Sequence, residues 1–283
     1  MSEEFKISKY SQDKNPNSHI HEEFEILISL NNEGKFFVRK HGYALRFGMV
    51  FILPPFEIHR CFCEGNQDYE RCIIHFHLKA LQRMSTKKSD LVELFSSGPI
   101  VCQARDDVLS QILADIPYLL KEDGERFGDD IERNLRFESL LLRIARIVQG
   151  CGIPTIAAIE NDWRIEEILE YIHQHYEESI TLDSVAQKFF MSKSRLSQIF
   201  KNATGFSLGD YIIMYRIKRA CTLLQSGEQV QDVAAAVGFK NSTHFIRTFK
   251  ARIGCSPKKF TQSIMREQMT AEEQPFRALE DEI

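Results

Sequence analysis

Two stretches, "FKNATGFS" at 200–207 and "FKARIGCS" at 249–256, share the plan Phe-Lys-x-x-x-Gly-x-Ser and decide how the second half of the chain is read. Each closes a longer unit. "VAQKFFMSKSRLSQIFKNATGFS" (185–207) and "VAAAVGFKNSTHFIRTFKARIGCS" (233–256) both open with Val-Ala on a short helical segment, pass a brief turn and end in a second helix. A short helix, a tight turn and a second helix, found twice in one chain, is a tandem helix-turn-helix plan. Ser192 and Asn241 stand where an N-cap side chain accepts a hydrogen bond from an orphan backbone N–H. Gly205 and Gly254 stand where a helix ends on a left-handed residue.

The second helix of each unit has two faces. In the first, Leu196, Ile199 and Phe200 are expected to pack inward, leaving Lys193, Ser194, Arg195, Ser197, Gln198 and Lys201 outside. In the second, Phe245, Ile246 and Phe249 are expected inside, with Ser242, Thr243, His244, Arg247, Thr248 and Lys250 outside. Ser, Thr, Gln and Arg are side chains that read base edges in a major groove, while Lys and Arg also neutralise phosphates.

Charge points the same way. The chain of 283 residues carries a net charge of -4, but residues 188–260 hold 13 Lys/Arg against 3 Asp/Glu, a local net of +10, between two acidic stretches. A basic segment of this density calls for a polyanion. The helical pattern from about 208 to 225 covers 18 residues, hence roughly 27 Å. With its flanking turns it sets two recognition helices about one duplex turn apart, roughly 34 Å.

From about 163 to 265 the chain resembles the DNA-binding domain of AraC/XylS-type transcription regulators. The resemblance rests on "MSKSRLSQIFKNATGFSLGDYI", "YRIKRACTLLQSG" and "VQDVAAAVGFKNSTHFIRTFKARIGCSPKKF". It implies two helix-turn-helix units bridged by a long helix and bound to double-stranded DNA. One departure is "FFM" at 189–191, where a glycine would ease the turn.

Upstream, "FEILISL", "KFFVRK", "MVFILP" and "ERCIIHFHL" read as strands, with "NNEG", "HGYALRFG" and "EGNQDY" as turns between them. Their spacing is that of an antiparallel barrel or sandwich. "HIHEEFE" (19–25) places two histidines two residues apart, on one strand face. This region resembles the cupin barrel that precedes the DNA-binding domain in many such regulators. "HIHEEFE" fits the first cupin motif, and "GMVFILPPFEIH" (48–59) fits the second in part, with Phe56 in place of a glycine. The resemblance implies an effector cavity lined by His19, His21, Glu25 and His59, to which His75 and His77, alternating on a later strand, are added. His19, His21, Glu25 and His59 are also the candidate metal ligands, since three imidazoles and a carboxylate suit a divalent transition ion. No cofactor is otherwise called for.

The expected fold class is therefore multidomain α+β: a cupin-like β-barrel with a helical dimerisation hairpin, then an all-α domain of two helix-turn-helix units. The expected boundaries are 1–104 for the barrel, 105–149 for the dimerisation helices, 150–162 for the linker, 163–265 for the DNA-binding domain and 266–283 for an acidic tail. Apolar stripes at 108–120 and 135–148 mark the hairpin, with Pro117 expected to bend or split the first helix. The polar N-terminus does not read as a signal peptide, and the seven unevenly spaced cysteines suit a reducing cytoplasm. Cys61, Cys63 and Cys72 would share a strand pair if they formed a thiol sensor. The reading is a cytoplasmic, non-enzymatic, homodimeric regulator that binds DNA and a small-molecule effector, with sugars as one class. RNA polymerase is a further partner if it activates. Alternatives are a metal-dependent cupin enzyme fused to a DNA-binding domain and an architectural DNA-binding protein with a silent barrel.

Overall fold

The computed structural model describes residues 5–11, 21–62, 69–121, 126–150 and 163–272. Its N-terminal half runs through β1 (Phe5–Tyr10), β2 (Phe24–Ser29), β3 (Lys35–Val38), β4 (His41–Ala44), β5 (Met49–Leu53), β6 (His59–Phe62) and β7 (Arg71–Phe76). Then come α1 (Leu78–Met84), α2 (Leu91–Ser96), β8 (Ile100–Gln103), α3 (Asp106–Leu119) and α4 (Asp129–Gly150). The strands pair antiparallel in two sheets, ordered β1-β7-β2-β5-β8 and β4-β3-β6. A barrel would require hydrogen bonding all the way round. Among the described residues no strand pairs with both sheets, so the cupin-like barrel expected from sequence is corrected to two facing sheets.

Alternation along each strand builds the layers. Phe24, Ile26 and Ile28 of β2, Val50 and Ile52 of β5, and Cys72, Ile74 and Phe76 of β7 point to one face, where α3 and α4 cover them with Ile112, Ile116, Phe137, Leu140, Leu141 and Ile144. Leu27, Phe51 and Leu53 point the other way and meet Phe36 and Val38 of β3 between the sheets. Because β2 is covered on both faces, all six of its residues are buried, the polar Glu25 and Ser29 included. Pro117 lies in the last turn of α3, so only one ladder bond is forgone and the helix runs on to Leu119 without the expected split.

The C-terminal half is helical: α5 (Trp163–His175), α6 (Leu182–Lys188), α7 (Lys193–Thr204), α8 (Leu208–Gln225), α9 (Val230–Ala236), α10 (Ser242–Ile253) and α11 (Pro257–Glu272). The pairs α6–α7 and α9–α10 are the two repeats, and α8 stands between them. One buried cluster joins them through Leu196, Phe200, Ile217, Leu224, Phe245 and Phe249. The expected linker beyond Gly150 lies outside the described residues, as do residues 273–283 of the tail; α11 extends to Glu272, into the stretch read as the start of that tail.

The two halves touch. Phe37, Ile58 and Phe62, on the outer face of the smaller sheet, belong to the same buried cluster as the C-terminal helices. Arg60 lies 5.4 Å from the centre of the Phe206 ring, Phe56 packs edge-on against Phe260 at 5.5 Å, and Lys40 pairs with Glu170.

Candidate nucleic-acid interface and ligand site

The recognition helices are set by their caps. Ser192 Oγ accepts from the backbone N–H of Arg195 at 3.2 Å, and Asn241 Oδ1 accepts from that of His244 at 3.1 Å. Each such cap contributes about 1 kcal/mol. At the other ends Gly205 and Gly254 adopt left-handed backbone, φ 75° and 91°. Between the helices of the second unit Gly238 has φ 80°, and the matching position of the first unit is Phe190, a non-glycine residue at φ 53°. The "FFM" departure is thus a phenylalanine held where glycine is easier, its ring 97% exposed.

Leu196, Phe200, Phe245 and Phe249 are fully buried, and Ile199 packs in part against them. Ile246, expected inside, is 42% exposed. It follows Phe245 directly, and the turn of about 100° between neighbouring helical residues carries it off the core stripe. Lys193, Ser194, Arg195, Ser197, Gln198 and Lys201 of α7 are exposed, as are Ser242, Thr243, His244, Arg247 and Lys250 of α10, with Thr248 half-buried. Lys193 pairs with Asp183 of the preceding helix at 2.8 Å. Each unit therefore presents a polar, basic helix face on an apolar anchor.

The second site lies between the sheets of the N-terminal half. Glu25 of β2 pairs across the ladder with His75 of β7 and shares its inward face. Its Oε2 lies 3.0 Å from His21 Nε2, 3.0 Å from His75 Nε2 and 3.4 Å from His59 Nε2. Glu25 is buried, and burial alone would raise its pKa; the His59 charge and the hydrogen bonds from His21, His59 and His75 outweigh this and hold it well below the usual carboxylate range. Burial pulls His59 down, but the Glu25 charge and hydrogen bond leave it raised.

Two of the rings are oriented by backbone. His21 Nδ1 donates to Glu23 O and His59 Nδ1 to Glu57 O, each at 2.9 Å. A carbonyl only accepts, so both Nδ1 atoms are spent as donors. Their Nε2 atoms can face the carboxylate only with a second proton, or with a cation between. Outer-shell carbonyls of this kind also orient metal-ligating histidines. The ligand atoms of His21, Glu25 and His75 lie within 4.8 Å of one another, and this donor set fits a divalent transition ion.

The ligand set thus differs from the one read in the sequence. His75 takes a place in the close group, His59 approaches from the opposite sheet, and His19 lies outside the described residues. His77 is exposed at the start of α1, where β7 has already ended, and does not continue the His75 face. The cysteine grouping is also corrected: Cys61 and Cys72 sit in different sheets, Cys63 lies outside the described residues, and burial pushes the Cys72 thiol up to about 12.

Sequence reasoning missed how the two sites connect. The buried Glu57 carboxylate accepts from Lys218 Nζ of α8 at 2.8 Å, and the Glu57 carbonyl holds His59. The Phe56 N–H donates to His21 O at 2.9 Å, while the Phe56 ring meets Phe260 of α11. Phe56 has φ 61°, and "PPFE" was the only signal: the missing cupin glycine marks a strained turn.

A two-sheet module with a buried donor cluster, joined to tandem helix-turn-helix units, defines a ligand-binding module coupled to a DNA-binding module. A family model described as an AraC-like ligand binding domain matches residues 3–141, and one described as a helix-turn-helix domain matches residues 185–263. The chain belongs to the AraC family of helix-turn-helix regulators. The Msm operon regulatory protein of Streptococcus mutans is 33% identical over 101 residues, 35% of this chain and 36% of that one, so the match spans about a third of that relative's length. The arabinose operon regulatory protein of Salmonella typhimurium is 28% identical over 241 residues, 83% of this chain and 82% of that one. The structure of ToxT from Vibrio cholerae O395 aligns with 93% of this chain and 99% of its own at 11% identity and a TM-score of 0.38, too remote to bear on function. Among the described residues no helix is long and apolar enough to cross a membrane.

Proposed function

We propose that the protein is a sequence-specific DNA-binding transcription regulator whose N-terminal module binds a small-molecule effector. The observation that carries the reading is the pair of exposed, basic and polar helices, α7 and α10, held by matching caps on one apolar core. Lys193, Ser194, Arg195, Ser197, Gln198 and Lys201 face one major groove, and Ser242, Thr243, His244, Arg247, Thr248 and Lys250 the next. The arginines and lysines supply the salt-sensitive affinity and the polar side chains the base readout.

The effector site is the space between the sheets, at His21, Glu25, His59 and His75, with His19 as the fifth candidate. A sugar is one class of occupant, and a divalent transition ion is the other group the donors fit. Metal analysis of freshly purified protein, followed by thermal unfolding with and without chelator, tests the ion: the account of a bound ion expects near-stoichiometric metal and a melting temperature that chelation lowers. The loop 54–58 transmits occupancy, because it holds His21 and His59 on one side and Lys218 and Phe260 on the other. An effector shifts DNA affinity only by binding the coupled and uncoupled arrangements unequally. Module boundaries at 104, 149 and 162, a homodimer through α3 and α4, and contact with RNA polymerase if the protein activates complete the proposal.

Selection of duplexes from a random library by the full chain tests the DNA half. Enrichment of two short motifs about one helical turn apart is expected, and recovery of unenriched sequence would overturn it. Repeating the binding with a low-molecular-weight extract of the source cells tests the sensing half, which expects a changed affinity.

A further inference from the structure

The inner face of the larger sheet carries a second charged group, about four residues along β7 from His75 and hence about 13 Å away. Arg71 pairs with Tyr10 of β1 and Ser29 of β2 across the ladder, and it alternates in step with Ile73 and His75. It is only 5% exposed. Its guanidinium carbon lies 4.4 Å from the centre of the Tyr69 ring and 5.1 Å from that of Tyr10. The ring faces offer its edges no conventional acceptor, and among the described residues Arg71 Nε and Nη1 are buried without a hydrogen-bond partner. Nearby polar groups are committed elsewhere: Ser29 Oγ donates to Asn31 O at 2.9 Å, and Tyr69 Oη lies 3.5 Å from Cys61 O.

A buried, permanently charged group with unpaired N–H donors is costly, and native structures rarely tolerate one without a function. Aromatic faces offset part of the desolvation but accept no conventional hydrogen bond along the guanidinium edge. What the geometry lacks is an acceptor, and an anionic oxygen group matches the fork of donors best. Tyr69 is fixed as a wall, since Gly34, at φ 92°, lies so close that an added Cβ would sit 3.2 Å from Tyr69 Cβ. The floor between Arg71 and Glu25 is apolar, made by Ile73 and Leu27.

We infer that Arg71 is the oxyanion-binding group of the N-terminal module, receiving a carboxylate or phosphate of the effector between Tyr10 and Tyr69. This rests on the reading of that module as a small-molecule sensor and narrows it: the effector is an anion. A neutral sugar would leave Arg71 unpaired.

The test follows thermal unfolding of the full chain while sodium formate, the smallest carboxylate, or inorganic phosphate replaces chloride at constant ionic strength. Wild type is expected to show a saturable rise of about 3 °C at ten times the half-saturating concentration, and the stronger of the two oxyanions tells carboxylate from phosphate. Arg71→Met, which fills the same volume without charge, is expected to melt at or above wild type in chloride and to show no oxyanion response. A wild-type response no larger than that to chloride, or an equal response in Arg71→Met, overturns the assignment. Should Arg71→Met fail to fold, Arg71→Lys decides: a half-saturating concentration raised about tenfold supports the guanidinium fork, and an unchanged one overturns it. If the cell extract shifts DNA affinity while neither oxyanion separates wild type from Arg71→Met, sensing stands and Arg71 falls. If the oxyanion binds at Arg71 and no extract alters DNA affinity, the sensing reading fails instead.

Discussion

Phe190 shows how much one residue can reveal about the repeat. Its left-handed backbone costs an L-residue about 1–2 kcal/mol, and its ring gains nothing from the core because it is 97% exposed. Phe190→Asn, which tolerates that backbone, should therefore raise stability by about 0.5–1 kcal/mol in denaturant unfolding; a loss would mean that the ring packs on something. Glu25 and His59 predict a pH dependence of known sign. Glu25 is held low, so its contribution is present above the ordinary carboxylate value and is lost as pH falls through its lowered folded value. His59 is raised, so its contribution is full below about 6.5 and is lost as pH rises through its folded value. Stability should thus peak between the two and decline on the alkaline side. Glu25→Gln should abolish that alkaline decline in melting curves at successive pH values, and an unchanged decline in the variant would remove Glu25 as its cause.

At the scale of elements, the loop 54–58 and α8 form the bridge between the modules. Replacing the carboxylate with Glu57→Gln leaves Lys218 without its buried anionic partner and is expected to cost about 1–3 kcal/mol. Faster hydrogen exchange at β3 and β6 should accompany it. His173 of α5 sits at the same junction, accepting from or donating to Tyr211 Oη at 2.9 Å and stacked on Tyr215. Burial, with help from Lys40, holds its pKa down to about 4. Its lowered value means that stability is lost as pH falls from about 6.5 toward 4, a loss that His173→Phe should remove. These elements were unequally legible in the sequence. β2, β3, β5 and β7 were visible as apolar runs, and α7 and α10 with both caps were visible because cap chemistry is local. β4, only four residues with Gly42 inside it, looked like a turn, and β6 and β8 were too short to stand out. Glu57 and Lys218 carried no sequence signal as partners, because burial and pairing over more than a hundred residues are tertiary facts, and for Arg71 little more was legible. An arginine in step with Ile73 and His75 was the one available hint.

Across the whole molecule, four layers lie in order: helices α3 and α4, the larger sheet, the smaller sheet, and the DNA-binding helices against its outer face. The outermost helices keep apolar residues in solvent. Ile131, Leu135 and Leu142 of α4 are 56%, 60% and 38% exposed and share one helical face. Proposed as the homodimer contact, this face predicts that Leu135→Glu gives a monomer in sedimentation with an unchanged circular dichroism spectrum; a persistent dimer would move the contact elsewhere. Two DNA-binding modules brought together by such a dimer would reach repeated half-sites. The central claim is that α7 and α10 read DNA, and the most direct measurement is a gel-shift titration of Arg195→Ala and Arg247→Ala on the selected duplex. Both arginines are exposed, so folding should be unaffected by circular dichroism. The account predicts that each variant loses specific binding, by about 1–3 kcal/mol or more where the arginine contacts a guanine. Wild-type affinity in both variants would contradict it.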